Sequence, residues 1–297
     1  MFETRAGTAT AVLPRRWLAA LAAGAAAAAT LPRPALAQGA PLRVGLMLPF
    51  SGTFAALGEN IAAAIELHLA ERGGRMGGRP LQIIRLDDES NPANAVQNAN
   101  RLVGRDRAEV LIGTVHSGVV MALVQISRER GIPLIIPNAG NVAATRELCA
   151  PSIFRSSFSN WQPAYGMGLA LGRQGVKRAA WVPWDYAAGN EAGEGFRQGL
   201  AGGGGEVVRE LKLPFPETNF QPLLAQIPGL NVEAVGSFFA GGGAVQFVRE
   251  YAAAGLKERI PLCGSGFLTE GVLGPQGAAA EGIRTALHYG DGLDSPK

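Results

Sequence analysis

Short apolar runs alternate along the chain with segments of helical periodicity. Residues 42–48 read as a buried strand that stops at Pro49. Residues 59–72 read as a helix with Ile61, Ile65, His68 and Leu69 on one stripe, ended by Gly73-Gly74. A strand follows over 81–86. Asn91-Pro92 then supplies an N-cap and a first-turn proline for a helix reaching about Val103. Strands over 109–112 and 133–136 flank a helix face of Val120, Leu123, Val124 and Ser127. A polar, proline-marked stretch over 137–152 interrupts the rhythm, which then resumes. The second block reads as extended 153–156, helix 160–174, strand 179–182 ending at Pro183, and helix 191–200 ended by a glycine run. It continues with strand 207–213, helix 220–227, strand 234–239, a helical face of Ala244, Phe247, Val248 and Tyr251, and strands 261–263 and 283–286.

This rhythm predicts an α/β protein of two doubly wound parallel-sheet lobes with a cleft between them. Lobe one is expected over 38–158 and lobe two over 159–284, with 285–297 crossing back toward lobe one. No helix follows the last strand before Asp294-Ser295-Pro296-Lys297, so lobe one is expected to be incomplete at its C-terminal side.

The first 37 residues break the pattern. Arg15-Arg16, an Ala/Leu run over 17–30, and Ala35-Leu36-Ala37 read as a secretory signal peptide cut before Gln38. That leader accounts for the whole formal charge of +3, so the exported part is neutral. No Lys/Arg block remains to neutralise a row of phosphates, which argues against nucleic acid. Cys149 and Cys263 are too few for a disulfide scaffold; they form either one bridge or two buried thiols.

Enzyme motifs are missing. The glycine runs lack phosphate-loop and dinucleotide spacing, and Ser265 lacks the flanks of a nucleophile elbow. His68, His116 and His288 are scattered, with His116 a candidate cleft residue. Asp87-Asp88-Glu89 reads as a solvated loop rather than a cation site. No cofactor or metal is expected.

Several segments, in order, carry a resemblance. They are 48–52 (Leu-Pro-Phe-Ser-Gly), Asp87-Asp88 with Asn91-Pro92, Ile112-Gly113 with Ser117, 131–133 (Gly-Ile-Pro) with 136–139 (Ile-Pro-Asn-Ala), 154–156 (Phe-Arg-Ser), and 253–256 (Ala-Ala-Gly-Leu). The chain resembles the periplasmic leucine/isoleucine/valine-binding proteins, type I solute-binding proteins of ABC transporters. The resemblance implies an exported, monomeric, periplasmic and non-catalytic binder. Its lobes would close on a small-molecule carboxylate or amino acid and deliver it to an ABC permease in the inner membrane; a sensor module for a receptor is the other reading. It also implies a C-terminally truncated chain.

The resemblance places the ligand carboxylate on Ser117 and on Asn138, Ala139 and Gly140. Gly140 stands where the family often has a hydroxyl residue, with Asn138 or Asn141 as replacement donors. Ser117 also reads as the N-cap of a helix starting near Gly118, where the N–H groups favour an anion. The lobe-two glutamate that holds an amino acid's ammonium falls at Gly266, leaving Glu270 or Asp185 as counter-charges. Family aromatics fall at Leu57, Gly189 and Ala240; Trp161 beside Asn160, with Trp184, Tyr186, Phe239 and Phe267, could supply ring surface instead. The expected ligand is therefore an aromatic or branched carboxylate without an α-ammonium, the alternative being a branched-chain or other neutral amino acid.

Overall fold

The computed structural model describes residues 39–290; the leader expectation and the last seven residues lie outside them. Two six-stranded sheets are present. The first contains β1 (Leu42–Leu48), β2 (Arg75–Met76), β3 (Arg79–Asp87), β4 (Val110–Gly113), β5 (Leu134–Ile136) and β6 (Ile153–Arg155), ordered β2-β3-β1-β4-β5-β6. All its pairs are parallel except the short β2–β3 hairpin, which sequence periodicity did not reveal. Its helices are α1 (Ala55–Glu71), α2 (Pro92–Asn100) and α3 (Ser117–Arg130). As expected, the Asn91 side chain accepts from the Ala93 amide at 2.9 Å, and Pro92 opens α2.

After β6 the chain crosses over into α4 (Trp161–Arg173). The second sheet then takes β7 (Arg178–Asp185), β8 (Glu206–Glu210), β9 (Leu213–Pro214), β10 (Ala234–Phe238), β11 (Leu262–Ser265) and β12 (Arg284–Ala286). Its order is β12-β11-β10-β7-β8, with β9 pairing the end of β7. The helices here are α5 (Ala187–Gly202), α6 (Gln221–Leu224), α7 (Gly241–Ala253) and α8 (Leu273–Gln276).

Two local expectations fail for physical reasons. The strand expected to end at Pro183 runs on to Asp185. β8 pairs β7 only as far as Trp181 and β9 resumes at Trp184, so the missing proline N–H falls in the gap between them. The helix expected from 191 starts at Ala187. Its glycines let α5 lie against α4 almost backbone to backbone: a Cβ at Gly199 would stand 2.1 Å from the Tyr165 carbonyl oxygen.

The cores follow the lobes. Trp181, Trp184, Phe196, Phe220, Phe239, Phe247 and Tyr251 fill lobe two. Met47, Leu102, Leu111, Leu123, Leu134 and Ile136 pack under α2 and α3 in lobe one. On the other face of the first sheet α1 covers Leu46 and Leu48, and beside it runs an apolar groove of about 410 Å³ between Val44, Ile83, Ile112 and Ile65. Cys149 is exposed and Cys263 is buried in β11, and both are free thiols.

In each sheet the chain reverses its winding beside a central strand: between β1 and β4 in the first, and between β7 and β10 in the second. Ligands of open α/β sheets bind at the carboxyl ends of strands at such switch points. Here the two switch points face each other.

Candidate functional site

The carboxyl end of a strand is where the next helix begins, so the facing switch points gather helix N-termini. Phe54 caps α1, His116 precedes α3, Asn160 caps α4, Tyr186 precedes α5 and Ala240 precedes α7. All except His116 line one cavity between the lobes, and Ser117, the first residue of α3, lines it too. The remaining walls are Leu57, Val115, Asn138, Gly140, Ala188, Phe238 and Phe267. Each N-terminus is the positive end of a helix dipole, so their common focus favours negative charge. As it stands the cavity has room for roughly one water. A larger guest enters only where the lobes part or a wall ring turns.

Seven of the ten residues expected at the site line this cavity: Ser117, Asn138, Gly140, Asn160, Tyr186, Ala240 and Phe267. The other three do not. Ala139 is fully buried in the lobe-one core, and its amide donates to the Thr114 carbonyl at 2.9 Å. Asn141 turns its side chain back to the Ala143 amide at 3.0 Å, while its carbonyl accepts from Arg155 at 2.8 Å. Trp161 stacks on Tyr165 with centroids 4.4 Å apart and donates to Gln198, and does not line the cavity. Trp184 and Phe239 belong to the lobe-two core, and the Trp184 indole donates to the Glu217 carbonyl at 2.8 Å.

The cap of α3 also differs. His116, not Ser117, is the N-cap: its Nδ1 accepts from the Gly118 amide at 2.9 Å. This releases the Ser117 hydroxyl, whose oxygen accepts from Asn160 Nδ2 at 3.2 Å and whose proton is available to a guest. Asn160 is the centre of the crossing. Its amide N–H donates to the Gly140 carbonyl at 2.8 Å, and its Nδ2 also reaches Glu191 at 2.8 Å. Asn160 also explains the lost hydroxyl at 140: a Cβ on Gly140 would stand 2.4 Å from Asn160 Oδ1 and 2.7 Å from its backbone nitrogen.

Gly266, where the resemblance leads one to expect a glutamate, has little room for a side chain, because a Cβ there would meet the Leu287 side chain at 2.7–2.8 Å. Glu270 is exposed, and Asp185 is exposed beside Lys212 at 3.6 Å, so neither faces the cavity. The carboxylate beside the cavity is Glu191 on α5. It accepts from Asn160 and, with both oxygens, from the Val142 amide at 3.2 Å, which ties lobe two to lobe one. Burial raises its pKa against the pull of Asn160, Val142 and Arg155. Burial, then the Glu191 charge, also pushes the Tyr186 phenol up. No motif marks Glu191; only a periodicity placing it one turn into α5 could have drawn attention to it.

Behind the site, Asp87 accepts from the amides of Phe50, Ser51 and Glu89 and from the Ser51 hydroxyl. Burial lifts its pKa, but these bonds outweigh it and hold the group below the usual range. Asp88 accepts from the Thr114 hydroxyl and the Ser90 amide, pinning the end of β3 to the loop after β4. Burial pushes Asp88 up to about 6. A raised acid pKa means that the fold prefers the protonated form. Its favourable contribution is complete below pH 3.8, declines as pH rises to about 6, and is gone above. Asp88→Asn mimics the protonated form. Urea unfolding should find the variant more stable than the parent at pH 7.5 by on the order of 2 kcal/mol, and the gap should close towards pH 4. A gap that widens on acidification would show the aspartate to be ionised throughout.

Comparisons with known proteins place this geometry. A family model described as periplasmic binding protein matches residues 41–297. The Leu/Ile/Val-binding protein homolog 6 of Brucella melitensis is 30% identical over 260 residues, covering 86% of this chain and 66% of its own length. A solute-binding protein of an ABC transporter from R. palustris, crystallised with benzoate, is 49% identical with a TM-score of 0.83. The match covers 86% of this chain and 70% of that one. A second R. palustris solute-binding protein, in complex with 4-hydroxybenzoate, is 27% identical with a TM-score of 0.81 over the same shares. The chain thus spans about two thirds of the length of these relatives.

Proposed function

The chain belongs to the periplasmic binding protein family, and on that premise we propose that it is the exported solute-binding component of an ABC transporter, taking a small aromatic or branched carboxylate without an α-ammonium. The observation that carries this is the convergence of helix N-termini, the Ser117 hydroxyl and the Asn160 amide on one cavity walled by Phe54, Tyr186, Phe238 and Phe267. The polar end suits a carboxylate and the rings suit an apolar body. The little room for a side chain at Gly266 supports a ligand that needs no counter-charge there. The benzoate complex of the 49% identical relative points the same way.

Binding would proceed by hinge closure. The ligand favours the shut form because only that form brings both lobes into contact with it. The closed form, a monomer, would then dock on the permease in the inner membrane.

Titration calorimetry tests the reading. Benzoate, 4-hydroxybenzoate or a branched 2-keto acid is expected to bind, with leucine and valine silent. Ser117→Ala should weaken the carboxylate by about 10- to 100-fold, the range for one hydrogen bond to a charged group. Tight leucine binding with no response to the acids would overturn the proposal. Glu191 favours the second reading: it is a half-buried carboxylate beside the cavity, bonded to the cavity residue Asn160, and the ammonium of a neutral amino acid requires such a counter-charge.

A further inference from the structure

We infer that His116 is a further ligand-contacting residue, donating its Nε2–H to an oxygen of the bound carboxylic acid; the inference rests on the reading of the cleft as a carboxylate site. The tautomer follows from the cap. Nδ1 accepts from the Gly118 amide at 2.9 Å and from the Val119 amide at 3.4 Å, so its lone pair is engaged and the proton resides on Nε2. Burial lowers the imidazole pKa to about 4, which keeps the ring neutral at physiological pH. His116 is 3% exposed, and among the described residues its Nε2 has no hydrogen-bond partner. An orphaned buried donor of this kind is destabilising, and a fold seldom keeps one without return.

The surroundings indicate what the partner is. The imidazole is enclosed by rings: Phe215 at 4.8 Å, Tyr186 at 4.9 Å and Phe54 at 6.0 Å between centroids. Phe54 and Tyr186 are cavity walls, as are the flanking residues Val115 and Ser117. A benzoate-sized guest enters where the lobes part or where a wall ring such as Phe54 or Tyr186 turns. His116 packs directly behind both of them. The guest's body would lie against the rings, and an oxygen of the guest would meet the unpaired N–H.

The two roles of His116 separate in His116→Asn. Asparagine is among the best N-caps, so its amide oxygen replaces Nδ1 while the Nε2 donor is deleted. Thermal unfolding and titration of wild type and variant with benzoate and 4-hydroxybenzoate would be compared. The expected result is a variant that still unfolds in one cooperative transition and binds at least tenfold more weakly. Loss with both acids places the bond on the carboxylate; loss with 4-hydroxybenzoate alone places it on the ring hydroxyl. Equal affinities in wild type and variant overturn the inference while leaving the carboxylate reading intact. A wild type that binds neither acid overturns that reading, and this one with it. Should the variant fail to fold, the imidazole N–H proton of wild-type His116 decides by NMR. A downfield shift on adding benzoate or 4-hydroxybenzoate supports the bond, and an unmoved resonance under saturating acid refutes it.

Discussion

Gly140→Ser is expected to destroy ligand binding, although it restores the type of residue that the resemblance leads one to expect there. The new Cβ would fall 2.4 Å from Asn160 Oδ1 and 2.7 Å from the Asn160 backbone nitrogen. The side chain could rotate away, but the backbone cannot. The Gly140 loop and the lobe crossing must therefore separate, which breaks the 2.8 Å bond from the Asn160 amide to the Gly140 carbonyl. The same movement carries Asn160 Nδ2 away from Ser117 and Glu191. Overpacking and two or three lost bonds together amount to roughly 2–4 kcal/mol. Calorimetry should register at least a hundredfold loss of affinity, and thermal unfolding a drop of about 5–10 °C. The double variant Gly140→Ser/Asn160→Gly should recover part of the stability but not the binding. A single Gly140→Ser variant that binds and melts like its parent would show that the loop yields freely.

Glu191→Gln is expected to shift affinity in a direction that depends on the ligand's charge. The Glu191 carboxylate shares Asn160 with Ser117, so a ligand held by Ser117 lies one side chain away. At roughly 7 Å and an effective dielectric near 20, a fixed charge is worth about 2 kcal/mol, reduced here by the neighbouring Arg155. For a carboxylate ligand that interaction is repulsive. Glu191→Gln should then tighten benzoate by about tenfold at pH 7.5. Burial raises the Glu191 pKa, so the wild-type protein should also gain affinity on going from pH 7.5 to a lower pH at which this carboxylate protonates, and the variant should not. For an amino acid the signs reverse: the substitution weakens leucine, and acid weakens the wild type. Titrations at the two pH values thus separate the two ligand classes on one side chain.

The site shows where local reading stops. Ser117, Asn138 and Gly140 are legible because each follows a strand end, and strand ends in a wound sheet point to one edge. Tyr186 and Phe267 are legible as rings at such ends. Trp161 misleads because adjacency to Asn160 does not fix direction: the first turn of α4 rotates its ring onto Tyr165. Ala139 and Asn141 mislead because their polar groups are taken by Thr114 and by their own loop. Glu191 went unseen. The small residues Ala187, Ala188 and Gly189 before it hide the true start of α5, and only the packing of the lobes brings its carboxylate to Val142.

What the sequence determined by itself is the alternation: runs such as 42–48 and 234–238 are apolar on both faces because parallel strands are covered on both faces, and that constraint is local. The cap at Asn91-Pro92 is local in the same way. The tertiary structure alone decided which helix N-termini share a cavity, that Asn160 and Glu191 join the two lobes, and that Gly140 makes room for Asn160. Those outcomes depend on contacts between groups tens of residues apart, where the space left by one lobe sets what the other can present, and no periodicity within a segment carries that information.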